Sequence, residues 1–176
     1  LVPLFSFSTI VFVLRPFFHD YDFLAAPLTI GSVGISFFLS ILVLYDSLRN
    51  GFIDHDFGGF SWIQISNLDV NFNLILDPLS IVMLVVVSSV SLLVQIYSVG
   101  YMKDHNGNRD PGYARYFAYM SFFTASMLGL VLSRNIIQIF VFWELVGVSS
   151  YLLIGFWFEN PSAAAAAKKA FIVTRV

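Results

Sequence analysis

A single acidic residue, Glu144, interrupts the apolar stretch from Ile136 to Phe158, and it is the residue of this chain best placed to do chemistry. A charged side chain near the centre of a membrane helix costs about 2.5–3.5 kcal/mol on insertion scales, so such groups usually face a partner, a water-filled cavity or a proton path. Burial favours the protonated carboxyl and a nearby cation favours the carboxylate. A movable cation would therefore switch such a group between holding and releasing a proton. At helical spacing Glu144 shares a face with Ile137, Phe140, Val141, Gly147, Val148, Tyr151 and Gly155, and the glycines permit close helix contact. That face predicts a carboxyl pointing into a helix bundle. The plainer alternative is a protonated or paired structural glutamate.

The nearest cations in sequence are Lys168, Lys169 and Arg175, on a helix expected to start after Pro161 and to enter the membrane. Lys168 and Arg175 are seven positions apart and share a helix face. They form a charge network with Glu144, or else Lys168 and Lys169 reach out to the interface while Arg175 lies deeper. No other constellation competes. The chain has no cysteine, which excludes a disulfide, a thiol nucleophile and a cysteine-held iron–sulfur cluster. His19, His55 and His105 are scattered through polar loops with no metal-ligand or haem spacing. The glycines make no phosphate cradle, and Ser88-Ser89 and Ser149-Ser150 on apolar helices read as helix-contact residues.

The elements that must carry these residues are membrane helices. Hydrophobic residues make up 58% of the 176 positions and charged residues 11%, against roughly 45–50% and 25% in soluble domains. A soluble fold of this length could not hide that surface. A net charge of −2 with no basic face excludes a nucleic-acid partner. Charge-free runs give complete spans at 23–45, 78–102, 116–132 and 136–158, with a partial span at 1–14 and a truncated one at 161–176. Both ends therefore read as cut. Two groups follow: 1–112, holding the first spans and a loop at 46–77, and 113–176.

Within that loop, Trp62 to Ser66 and Val70 to Leu74 alternate polar and apolar residues around Asn67-Leu68-Asp69, which predicts a small β-hairpin on the membrane surface. The expected fold is an all-α polytopic transmembrane bundle with this hairpin in one loop. Arg15, Lys103, Arg109, Arg115, Lys168 and Lys169 fall on alternate loops, and Arg49 and Arg134 on the others. The first set should face the negative side and the hairpin the opposite side.

The run Phe142-Trp143-Glu144-Leu145-Val146-Gly147, continuing as Ser149 to Trp157, resembles the fifth transmembrane helix of the largest antiporter-like subunit (subunit 5, chain L type) of proton-pumping NADH:quinone oxidoreductase, respiratory complex I. Leu76-Asp77-Pro78-Leu79-Ser80, Tyr113 to Tyr119 and Lys169 to Val176 resemble the same subunit in the same order. The resemblance implies the N-terminal part of an inverted-repeat bundle, in which the family's fourth to eighth helices form one repeat and this chain enters only the first three helices of that repeat. It implies that Glu144 relays protons with a lysine two helices later, beyond Val176, and that Lys169 and Arg175 neighbour that network. It also implies other membrane-arm subunits and lipids as partners, with flavin and iron–sulfur clusters in partner subunits and no cofactor here. The location would be a bacterial inner membrane or an energy-transducing organelle membrane. Two other readings stay open: the related large subunit of a cation/proton antiporter, and a membrane scaffold in which Glu144 is dispensable.

Overall fold

The structure, a computed structural model, describes residues 2–14, 23–51, 55–65, 68–103 and 110–175, with only the backbone described at 13–14, 55–60, 62–65 and 68–70. Helix α1 (Val2–Thr9) continues as a π-helical turn over Ile10–Leu14 and is followed by α2 (Ala25–Asn50). Strands β1 (His55–Ile65) and β2 (Leu68–Leu76) come next, then α3 (Pro78–Tyr101), α4 (Tyr113–Val131), α5 (Ile136–Ile154) and α6 (Pro161–Val173). The chain is mostly helical, and α2, α3 and α5 are each long and apolar enough to cross a membrane.

Helix ends follow local chemistry. Asp77 caps α3 by accepting the Ser80 N–H at 2.6 Å, with Pro78 in the first turn where its missing N–H costs nothing. Asn135 caps α5 by accepting the Gln138 N–H at 2.7 Å, and Asn160 caps α6 through the Ser162 N–H at 3.0 Å. At the end of α2 the chain turns at Gly51 with φ of 87°, a conformation that a side chain resists. Helix α5 stops at Ile154 with Gly155 as its cap, so the last apolar residues, Phe156 to Phe158, turn away from the helix axis instead of extending it.

The hairpin pairs β1 antiparallel to β2, with His55 opposite Leu76 and Ile65 opposite Leu68, and it is longer than the alternating stretches alone predicted. Its expected turn at Asn67 lies outside the described residues, and Leu68 and Asp69 already belong to β2. Strand β2 is pinned to the turn between α4 and α5. The Ile75 N–H donates to the Leu132 carbonyl at 3.1 Å, and the Asn135 amide donates to the Asn71 carbonyl at 2.6 Å.

Helix α4 is the hub: it packs against α1, α2, α3 and α5. Its serine and threonine side chains face inward. Ser121 and Thr124 are fully buried, whereas Leu93 and Tyr97 of α3 and Phe38 and Tyr45 of α2 are exposed. Apolar side chains out and hydroxyls in is the arrangement that suits a hydrocarbon solvent. One apolar cluster, around Phe117, Met102 and Phe156, seals the α3–α4 loop end, and a smaller one at Leu84, Val87 and Leu128 seals the hairpin end.

Three helices meet at a serine junction. Ser32 of α2 donates to Ser6 of α1 at 3.0 Å, Ser6 and Ser121 of α4 share a hydrogen at 2.5 Å, and Ser121 donates to the Pro3 carbonyl at 2.7 Å. Ser6→Ala and Ser121→Ala should each destabilise the protein by about 1 kcal/mol, and the double variant by less than the sum, as measured by thermal unfolding in detergent. Strict additivity would show that the two hydroxyls are not coupled.

The capping carboxylate makes a second expectation. The Ser80 hydroxyl, and then its N–H, hold the Asp77 carboxyl below its ordinary pKa of 3.8; the hydroxyl also has the Val131 carbonyl as an acceptor at 3.0 Å. Because the folded value is depressed, the cap stabilises fully above the unfolded pKa and is lost as pH falls through the folded one. Asp77→Asn keeps a capping oxygen but does not titrate, so it should flatten the loss of stability below about pH 4. An unchanged acid limb in the variant would show that other groups cause it.

Candidate functional site

Glu144 lies about 12 Å along α5 from its first residue at 1.5 Å per residue, near the middle of the helix. Its Oε2 makes an ion pair with Nη1 of Arg175, which sits in the turn just after α6. Both side chains are partly exposed in the described residues. The guanidinium also lies over the Phe171 ring, 4.3 Å from its centroid, so the cation is held by a carboxylate and an aromatic face together.

The α5–α6 contact is built from the small residues on the Glu144 face. A Cβ at Gly155 would approach the Ala167 Cβ to 3.1 Å, and one at Gly147 would lie 3.6 Å from Arg175 Nη2. Tyr151 meets Phe171 edge to face at 5.6 Å. Glu144, Gly147, Tyr151 and Gly155, the face drawn from helical spacing, are therefore the residues turned toward α6. The absent side chain at Gly147 leaves room for Arg175 to reach back along the helix. On the other side of α5 the packing is tighter still: a Cβ at Gly129 of α4 would fall within the Phe142 ring.

The remaining candidates separate. Lys169 is exposed, and among the described residues no ion pair joins it to Glu144. Lys168, also exposed, lines a groove of about 270 Å³ with Arg115, Tyr119 and Tyr151, on the side of α6 that faces α5. The Ser149 hydroxyl donates to Leu145 and Val146 carbonyls and Ser150 to Val146, so both bond to their own helix. His19 and His105 lie outside the described residues, as does the side chain of His55.

Sequence reasoning missed two buried amides. Gln95 on α3 and Gln138 on α5 are 0% and 2% exposed, and the side-chain nitrogen and oxygen of each have no hydrogen-bond partner among the described residues. A search for charge in apolar runs passes over a neutral amide. The signal available was that Gln95 stands at helical spacing with Ser88, Ser91 and Ser98.

A pocket of about 360 Å³ lies beside Arg175, lined also by Phe123, Met127, Trp143, Gly147 and Ser150. The arrangement is a carboxylate on one helix, a cation delivered from the next, and open space beside the cation.

Residues 62–117 match the family described as NADH-ubiquinone oxidoreductase (complex I), chain 5 N-terminus. Residues 133–176 match the family described as NADH:quinone oxidoreductase/Mrp antiporter, transmembrane. The chain is 50% identical over 152 residues to the chloroplastic NAD(P)H-quinone oxidoreductase subunit 5 of Zygnema circumcarinatum, covering 86% of this chain and 21% of the relative. It is 47% identical over 175 residues to that of Mesostigma viride, covering 99% and 25%. The organellar chromatophore subunit 5 of Paulinella chromatophora is 47% identical over 152 residues, covering 86% and 22%. The chain thus spans about a fifth to a quarter of the length of these curated relatives. Among solved structures, the Mrp complex from Dietzia sp. DQ12-45-1b aligns over 98% of this chain and 17% of that one, with a TM-score of 0.63 and 23% identity, a likeness of fold. With its apolar helices, the chain is a multi-pass integral protein of an energy-transducing membrane. It belongs to the antiporter-like subunit 5, or chain L, family of proton-pumping NADH:quinone oxidoreductases.

Proposed function

We propose that this chain forms the N-terminal part of a proton-translocating membrane-arm subunit, which couples electron transfer elsewhere in an NADH (or related donor):quinone oxidoreductase to proton movement through a mid-membrane charge relay. The observation that carries the reading is the Glu144–Arg175 ion pair on the α5–α6 face. Glu144 is the relay carboxyl. Arg175 is the cation whose seating favours the carboxylate and whose withdrawal favours protonation. Lys169 is a more distant member of the same network. Residues 113–176 begin the first antiporter-like repeat, residues 1–112 are the spans that precede it, and the β-hairpin lies on the membrane surface at the end opposite Lys103 and Arg115.

The redox chemistry belongs to partner subunits carrying flavin and iron–sulfur clusters, since this chain offers no thiolate to hold a cluster. Its own partners are the neighbouring membrane-arm subunits and bound lipid. The alternative, a cation/proton antiporter subunit, draws on the fold likeness to the Mrp complex at 23% identity. Identities of 47–50% to oxidoreductase subunits weigh more heavily.

Donor-driven proton uptake in sealed vesicles carrying the full-length protein separates these readings. Wild type should acidify the lumen when the donor is oxidised, and Glu144→Gln should abolish acidification while the complex still assembles. Pumping that survives the substitution would make Glu144 structural. Cation-for-proton exchange without a donor would favour the antiporter.

The ion pair itself is tested by a double-mutant cycle. Arg175→Ala leaves the carboxylate without its cation, and adding Glu144→Gln should recover part of the lost stability, with a coupling of about 0.5–3 kcal/mol. A Lys169→Ala cycle with Glu144 should give a smaller coupling. Equal couplings would mean that both cations hold the carboxylate alike.

A further inference from the structure

We propose that Gln95 anchors an internal water site between α3 and its neighbours α2 and α4, a site separate from the Glu144–Arg175 pair and independent of the proposed pump. Gln95 is 0% exposed, and neither its Oε1 nor its Nε2 has a partner among the described residues. Leaving one such buried group unpaired costs about 1–3 kcal/mol, and hydrocarbon offers nothing to replace the missing partner.

The surroundings are polar enough to hold water. Ser88, Ser91, Gln95 and Ser98 follow one another at helical spacing on the buried face of α3, and all four are at most 8% exposed. Hydrogen bonds from Ser80 to the Val131 carbonyl and between Ser98 and the Tyr116 hydroxyl set α3 antiparallel to α4. That register puts Gln95 opposite the stretch of α4 around Ala118 and Ser121, both buried. Ser98, one turn from Gln95, donates to the Val94 carbonyl and so accepts from the Tyr116 hydroxyl, which leaves one lone pair of its oxygen toward a guest.

The chemistry of the amide selects the guest. A metal cation would satisfy Oε1 and leave Nε2 without an acceptor. A carboxylate or phosphate would satisfy Nε2 and leave Oε1 without a donor. Water both donates and accepts, and a buried water typically makes about three hydrogen bonds, which the amide and a neighbouring hydroxyl supply. Helix α4 stands between this site and α5, since it packs against both α3 and α5. The water is therefore held apart from the ion pair.

Cryo-electron microscopy of the assembled complex containing the full-length protein, at a resolution that reveals ordered water, tests the inference. The wild-type map should show density about 2.7–3.2 Å from Oε1 or Nε2, and in Gln95→Leu that density should be gone while the helices stay in place. An amide bonded only to protein atoms, or with nothing beside it, overturns the proposal. So does a water that persists unchanged in the variant, because other groups would then be holding it. If the variant does not assemble, the wild-type contacts of the amide decide alone.

Discussion

A membrane helix must satisfy its polar side chains without water, and the architecture of this chain depends on how it does so. Most of its buried hydroxyls donate to a carbonyl three or four residues back: Thr29 to Ala26, Ser88 to Leu84, Thr124 to Met120, Ser126 to Phe122 and Ser149 to Leu145. Each such bond removes a donor from the interior and leaves a short side chain at the helix surface. Short side chains let helices approach closely, and in hydrocarbon packing of that kind holds helices together where burial alone does not. Helix α4 lies at the centre, with α1, α2, α3 and α5 arranged around it.

Glu144 is the exception that this solution cannot absorb. A carboxylate has no donor to give a backbone carbonyl, and the backbone N–H groups of a helix interior are already paired. Its partner must come from another element. The cation can arrive only because Gly147 and Gly155 let α6 lie close against α5, and because Asn160 and Pro161 start α6 at the end from which it runs back along the Glu144 face. The caps and glycines of two helices thus position one ion pair.

Helices were legible wherever apolar residues run without charge, because hydropathy reports the solvent a segment prefers. The method weakens where the preference inverts. Helix α4 is 19 residues long and lies at the centre, yet its Tyr, Ser and Thr content leaves it outside the helices apolar enough to cross alone. Its neighbours rather than lipid receive those groups. The far end of α5 misled for a different reason. Phe156 to Phe158 look like continued span, but Phe156 folds back to 4% exposure against Tyr116 and Arg115, a contact that depends on a segment 40 residues earlier. Glu144 and its face were readable because spacing along one helix determines a face. That Arg175 rather than Lys169 meets the carboxylate was not, because it depends on where α6 ends and how closely it packs.

The two polar features of the interior differ in what they can respond to. Gln95 is enclosed where α3 packs into the bundle, is neutral, and changes only if helices separate. Glu144 lies on the face of α5 that meets α6, and its side chain stays partly exposed. Its partner, Arg175, comes from the α6 side. On its other side α5 is packed against α4, with Phe142 beside Gly129. Electrostatic energy changes steeply with separation in a low dielectric, so the strength of the Glu144–Arg175 attraction depends on how closely α6 packs against α5.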